Sequence, residues 1–296
     1  MPGRALITGI EGFTGRYLRK VLERQGYAVH GITRHEPEEP ADSRVDLLDR
    51  AALSQHVRAL RPDYFIHLAG ITFVLHDDAA EIYSVNLIGS LNLLEAIARA
   101  DAPVKKIVLA SSANVYGRPS RSPVDESMHA APVNHYGVSK HAMELMAARW
   151  FERLPILLVR PFNYTGVGQN IKFLIPKLVK CFRERTPDID LGDTTVVREF
   201  MDVRDVGEAY GQLLASTGAS ETVNLCSGIG HRLDEVLRKL EQLTGFTPAI
   251  HRNDSLIRGS EIPELVGSTD KLRRLCPQIK FRPLEETLSW MLSAAI

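Results

Sequence analysis

Cysteine is scarce in this chain: 296 residues hold only Cys181, Cys226 and Cys276. They are scattered, with no C-x-x-C and no metal-ligand spacing, which argues against a disulfide framework or a zinc ribbon. A reduced, cytoplasmic compartment is the expectation. Net charge is missing too: Lys plus Arg and Asp plus Glu number 36 each, so no bulk electrostatic case exists for nucleic acid or an anionic membrane. No apolar run reaches membrane-spanning length. The first residues run straight into a strand, and no signal peptide is expected. Repeats, low-complexity segments and long linkers are absent. The ten histidines include His30/His35 and His135/His141, but no pair has a third ligand nearby, so no metal site is expected. What remains, 44% hydrophobic and 24% charged, is the composition of an ordinary globular chain long enough for one large domain or two modest ones.

The pattern within that composition alternates. Short apolar runs at 4–8, 27–33, 64–69, 106–111 and 156–160 read as strands. Segments of helical spacing lie between them at 15–25, 51–60, 81–100 and 136–151. Strand and helix in strict turn imply an α/β fold, a doubly wound parallel sheet covered on both faces. After Pro161 the rhythm loosens: 163–170 is loop-like, 173–184 and 233–243 helical, 199–203 and 222–226 strand-like, and the tail from Pro248 carries short elements. The expected division is a dinucleotide-binding domain over 1–163, with 199–227 returning to it. A smaller C-terminal α/β substrate lobe, 164–198 and 228–296, lies over the carboxyl ends of the strands.

Thr8-Gly9-Ile10-Glu11-Gly12-Phe13-Thr14-Gly15 stands between the first strand and the first helix, with the spacing G-x-x-G-x-x-G. Glycines let backbone approach a pyrophosphate, and the helix N-terminus offers N–H groups and the positive end of its dipole. Gly9, Gly12, Phe13, Thr14 and Gly15 are therefore candidate cofactor contacts. Where the second strand ends, a carboxylate would take the 2′-hydroxyl of NAD. Arg34 stands there instead, and arginine accommodates a 2′-phosphate. NADP(H) is thus the preferred cofactor on this reading and NAD(H) the alternative; a solvated loop arginine would look the same. Asp46, followed by Leu47, either accepts from the adenine amino group or caps the next helix.

Tyr136 and Lys140 are four apart on one helical face, where an ammonium can lower the pKa of a phenol. Such a phenol is a competent general acid/base for a hydroxyl or carbonyl. Ser111-Ser112 precede it and can hydrogen-bond the same oxygen. The order glycine turn, serine, Tyr-x-x-x-Lys points to hydride chemistry on an alcohol or ketone.

With Thr-Gly-x-x-Gly-Phe-x-Gly at the N-terminus, His67-Leu-Ala-Gly70, the segment Asn86 to Glu95, Ser111 to Gly117, Tyr136-x-x-x-Lys140 and Arg160-Pro-Phe-Asn163, the chain resembles the extended short-chain dehydrogenase/reductases. The likeness is to their nucleotide-sugar-modifying (epimerase/dehydratase) branch, and it runs over essentially the whole length. Arg160 to Gln169, Arg198 to Asp205, Asn224 to Gly228 and Leu265 to Ser268 resemble most the members acting on GDP-4-keto-6-deoxy-mannose and GDP-mannose. The resemblance implies a Rossmann-like fold with Ser112, Tyr136 and Lys140 as catalytic residues, and Leu68, Ala69 and Gly70 running along the cofactor. It also implies Asn163, Lys177, Arg198, Arg258 and Glu261 as substrate contacts. Taken singly, Arg198 or Arg258 could equally form a surface salt bridge. Dehydratases of this branch carry a glutamate two residues after their serine or threonine, as base for the C5 proton. Here Asn114 stands there, and an amide is no base. The expectation is therefore NADP-dependent reduction of a GDP-linked 4-keto-6-deoxy sugar. The alternatives are a C4 epimerase with retained NAD and a non-catalytic NADP(H)-sensing binding protein. The helices at 81–100 and 136–151 are expected to form a homodimer interface.

Overall fold

A computed structural model describes residues 2–73, 77–256 and 262–294. Its strands in chain order are β1 Arg4–Thr8, β2 Ala28–Thr33, β3 Ser43–Arg44, β4 Tyr64–His67, β5 Lys106–Ala110, β6 Ile156–Pro161, β7 Tyr164–Thr165, β8 Asp188–Leu191, β9 Val197–Arg198, β10 Met201–Asp202, β11 Glu221–Leu225, β12 His231–Arg232, β13 Ala249–Arg252 and β14 Glu264–Leu265. The helices are α1 Phe13–Arg24, α2 Arg50–Leu60, α3 Ala79–Tyr83, α4 Ser90–Arg99, α5 His135–Ala148, α6 Leu174–Arg183, α7 Val203–Ala215, α8 Leu233–Thr244, α9 Asp270–Leu275 and α10 Leu284–Ser293.

The apolar runs of β1, β5 and β6 are buried along nearly their whole length because both faces of their sheet are covered. Successive residues alternate between two cores. Ala5, Ile7, Val108, Leu157 and Val159 face α1 and α7 through Leu18, Leu22, Val206 and Leu213. Leu6, Ile107, Leu109, Ile156 and Leu158 face α2, α4 and α5 through Leu53, Leu93, Ile97 and Met143. The sheet has seven strands in the order β11-β6-β5-β4-β1-β2-β3, and every pairing is parallel. This is the Rossmann-like α/β fold. The strand order reverses at β1/β4, so the crevice outside their carboxyl ends is where such sheets bind ligands.

A third core, built from Leu178, Phe182, Leu191, Val236, Leu240 and Leu288, packs α6, α8 and α10 against β8. Two-stranded pairs β7–β10 and β8–β13 and the three-stranded β12-β9-β14 surround it.

Three of the differences from the sequence expectation have a local physical reason. The helix expected over 81–100 is α3, a π-helical turn at Ser84–Gly89, and α4. The π turn accompanies Asn86, whose side chain is spent on the loop after β4. The strand expected over 199–203 is split: β10 ends at Asp202, whose carboxylate accepts from Arg204 N and caps α7. Helix α7 itself was not anticipated. Gly211 lies where an added Cβ would come within 2.9 Å of Val21 Cγ1, so α7 and α1 approach closely at the expense of helix propensity.

Candidate active site

The glycine turn is held by two contacts to the strand beside it. Gly9 has φ +70°, and a Cβ there would meet Ala69 Cα at 2.8 Å. Thr8 Oγ1 accepts from Ala69 N at 3.2 Å. Thr8, His67, Ser90, Asn86 and Ser139 form one directional chain. Ser90 gives its proton to Asn86 O (2.7 Å), so it must accept from His67 Nε2 (2.8 Å), and His67 Nδ1 accepts from Thr8 Oγ1 (2.7 Å). Asn86 Nδ2 donates to Ser139 Oγ at 3.0 Å, and Ser139 donates to Tyr136 O at 2.8 Å. Burial first, with Lys140 second, pushes His67 down to about 3, so it is neutral. Polar links thus run from the glycine turn to the start of α5.

Helix α5 begins at Asn134, whose side chain accepts from Gly137 N at 2.8 Å. A Cβ on Gly137 would lie 2.7 Å from Asn114 O, so the absence of a side chain lets the first turn of α5 sit on the segment Ala113–Tyr116. That contact brings Tyr136 to Ser112. Both are buried, at 7% and 4% exposure, as is Lys140 at 3%. Ser112 Oγ accepts from Asn114 N at 3.1 Å and from Asn114 Nδ2 at 3.2 Å. Two donors on that oxygen leave the Ser112 proton to be given elsewhere, and Ser112 is close enough to the Tyr136 phenol to act on its pKa.

The electrostatics correct one expectation. Tyr136 is not drawn toward neutrality by Lys140. Burial raises its phenol to about 12; the Ser112 hydrogen bond works against that, and Tyr164 adds to it. Lys140 Nζ instead donates to Ala110 O at 2.8 Å, and burial lowers the ammonium to about 8 against the opposing charge of Glu144. Burial is the first cause of both shifts.

The cofactor candidates divide. The first-turn N–H groups of α1 have no intrahelical acceptors, Gly12 has no side chain to cap them, and the turn carries no acidic residue at the helix start. A Cβ at Gly70 would lie 3.3 Å from Lys140 Nζ. Ser111 Oγ is buried without a partner among the described residues. This cradle of side-chain-free backbone fits a dinucleotide lying from Gly12 past Leu68, Ala69 and Gly70 to Lys140. Thr14 Oγ1 is already hydrogen-bonded to Tyr164 at 2.7 Å, and Phe13 stacks on the Tyr164 ring. Arg34 follows β2 and pairs with Glu81 at 3.6 Å, both exposed. Asp46 accepts from Leu48 N at 2.8 Å, while the cap of α2 is Asp49. Leu47 is buried, its carbonyl taken by Asn92.

On the other side of the crevice, Asn163 is exposed between β6 and β7, and its carbonyl accepts from Met201 N at 3.0 Å. Lys177 is exposed on α6. Arg198, on β9, donates to Val197 O at 2.8 Å and lies beside buried Glu199. Glu199 accepts from Ser227, Gly228 and Gly267 and ties the loops at 227–228 and 267 to the segment after β9. Arg258 and Glu261 lie outside the described residues. Among the described residues, no group of three or more His, Cys, Asp or Glu could hold a metal, and no helix is long and apolar enough to cross a membrane. Sequence reasoning missed Tyr164, Glu11 and the relay role of Asn86. Only an asparagine on the apolar side of an amphipathic segment hinted at the last.

The family model for the NAD dependent epimerase/dehydratase family matches residues 5–226. The GDP-6-deoxy-D-talose 4-dehydrogenase of Aggregatibacter actinomycetemcomitans is 33% identical, over 91% of this chain and 90% of its own length. The GDP-6-deoxy-D-mannose reductase of Pseudomonas aeruginosa is 32% identical, over 92% and 90%. A solved Burkholderia cenocepacia J2315 structure is 42% identical at a TM-score of 0.92, covering 98% of this chain and 96% of that one. RMD from Pseudomonas aeruginosa complexed with NADPH is 29% identical at 0.85, over 98% and 96%. The Thermus thermophilus UDP-glucose 4-epimerase complexed with NAD is 27% identical at 0.85, over 98% and 97%. Neighbours of this fold therefore hold NADPH or NAD, and a nicotinamide cofactor is supported. The chain belongs to the NAD dependent epimerase/dehydratase family of enzymes.

Proposed function

We propose that the chain reduces the C4 carbonyl of a nucleotide-linked 4-keto-6-deoxy sugar, GDP-linked by preference. The observation that carries this reading is Asn114 on Ser112: an amide, hydrogen-bonded at 3.2 Å, occupies the place where dehydration needs a carboxylate base. The two relatives whose names specify GDP-6-deoxy sugars support the substrate class. A bound nicotinamide dinucleotide supplies the hydride. Tyr136, whose phenol holds its proton to about pH 12, donates that proton to O4. Ser112, both of whose acceptor positions are taken by Asn114, gives its one proton to the sugar oxygen, and Lys140 places its ammonium beside Gly70, where the nicotinamide ribose would pass. Asn163, Lys177, Arg198, Arg258 and Glu261 are the proposed nucleotide and sugar contacts, supplied largely by a substrate lobe of residues 164–198 and 228–296.

NADP(H) is the proposed preferred cofactor, through Arg34, with NAD(H) also accepted. Ile88, Val138 and Leu145 are exposed apolar side chains, at 45%, 38% and 61%, on the π-helical turn and on α5. They support a homodimer through the helices of 81–100 and 136–151. The three cysteines are free thiols, which suits the cytoplasm.

The test is a coupled assay of NADPH absorbance with mass spectrometry of the sugar nucleotide. NADPH is consumed when GDP-4-keto-6-deoxy-mannose is supplied, and GDP-mannose alone loses no water. Water loss from GDP-mannose would overturn the reading. Reaction with only UDP- or dTDP-linked keto sugars would overturn the GDP assignment.

A further inference from the structure

The last residue of β2 is Thr33, not a carboxylate, yet a carboxylate is there. Glu11, from the glycine turn, reaches across: its Oε2 accepts from Thr33 Oγ1 at 2.7 Å and its Oε1 from Glu38 N at 3.1 Å. Thr33 Oγ1 in turn accepts from His35 N at 3.1 Å, so its proton is committed to Glu11. Thr33 is buried and Glu11 half-buried. The carboxylate is therefore fixed at the junction of phosphate turn and second strand, with two of roughly four acceptor positions still open.

We infer that Glu11 is a specificity-determining residue that accepts the adenosine 2′-hydroxyl of NAD(H) and opposes the 2′-phosphate of NADP(H). This rests on the dinucleotide reading of the crevice and deepens it. A carboxylate takes a hydroxyl proton readily, whereas a dianionic phosphate brought against it is repelled. Arg34, the next residue after Thr33, supplies the opposite preference. The ribose end thus carries one group for each cofactor, and the balance between them sets how far NADPH is preferred.

The experiment is equilibrium titration of the purified protein with NADH and NADPH. It is repeated with ADP-ribose and 2′-phospho-ADP-ribose, which lack the nicotinamide. Glu11→Gln keeps the size and the contact accepted from Glu38 N, while its NH2 can only donate to Thr33 Oγ1, reversing that bond. It is expected to weaken NADH and ADP-ribose about tenfold and to tighten the phosphorylated pair. Thr33→Val, which removes only the hydroxyl that aims Glu11, should shift the ratio in the same direction by less, and it serves if Glu11→Gln does not fold. An unchanged ratio of NADH to NADPH affinity in the folded variants overturns the role of Glu11 while leaving the dinucleotide site standing. Failure of the wild type to bind any of the four probes overturns both.

Discussion

Asn114 and Ser112 are joined twice, by the backbone N–H of Asn114 at 3.1 Å and by its side-chain amide at 3.2 Å, both ending on Ser112 Oγ. The serine is thereby left with its own proton to give. Removing the amide with Asn114→Ala leaves the backbone contact in place. The expected result is a rise in KM of a few-fold with kcat little changed, measured with the keto sugar nucleotide. A hundredfold fall in kcat would show that Asn114 takes part in the chemistry itself.

Tyr136→Phe removes the proton donor without altering the fold of α5. General acid–base groups are typically worth about 10²–10⁴ in rate, so kcat should fall by that range while dinucleotide Kd stays within a few-fold. A variant retaining more than a tenth of wild-type kcat would refute the assignment.

Arg34 pairs only with exposed Glu81 among the ion pairs described for it, so its removal should disturb little else. Arg34→Ala is expected to raise the Kd for NADPH about tenfold and to spare NADH. Equal effects on both cofactors would remove Arg34 from the ribose end.

His67 is held neutral, with its pKa lowered from 6.5 to about 3. Between those values the unfolded chain binds the proton and the folded chain does not, so stability falls as pH drops through that window. The contribution is at most about 1.4 kcal/mol per pH unit. Urea unfolding of wild type and His67→Asn from pH 7 to pH 4 should show the steeper loss in the wild type. Parallel pH profiles would contradict the buried neutral imidazole.

Arg160 Nε and Nη2 donate to the two oxygens of Glu144 at 2.8 and 2.7 Å, joining β6 to α5 in a buried pair. Glu144→Ala would leave the guanidinium uncompensated, at a cost of about 3–5 kcal/mol. A loss under about 1 kcal/mol by denaturant titration would place the pair among exposed salt bridges.

The sequence by itself determined the layered fold and the family. Apolar runs too short for helices, alternating with amphipathic segments, admit little but a parallel sheet covered on both faces. The glycine spacing after β1 and Tyr136-x-x-x-Lys140 could be read because each is local: a turn, or one face of one helix. Tertiary structure decided what depends on distant groups meeting. Glu11 is an unremarkable turn residue until β2 brings Thr33 beside it, and Asn86 is one more helical polar residue until the loop after β4 closes on it. Tyr164 gains its place only where β7 meets Thr14. Helix α7 escaped the pattern because its glycines answer to the surface of α1, which lies some 190 residues earlier. The raised phenol of Tyr136 has the same kind of origin. Spacing along a helix shows that Lys140 is near, but only packing shows that both are buried, and burial is the first cause of the shift of each.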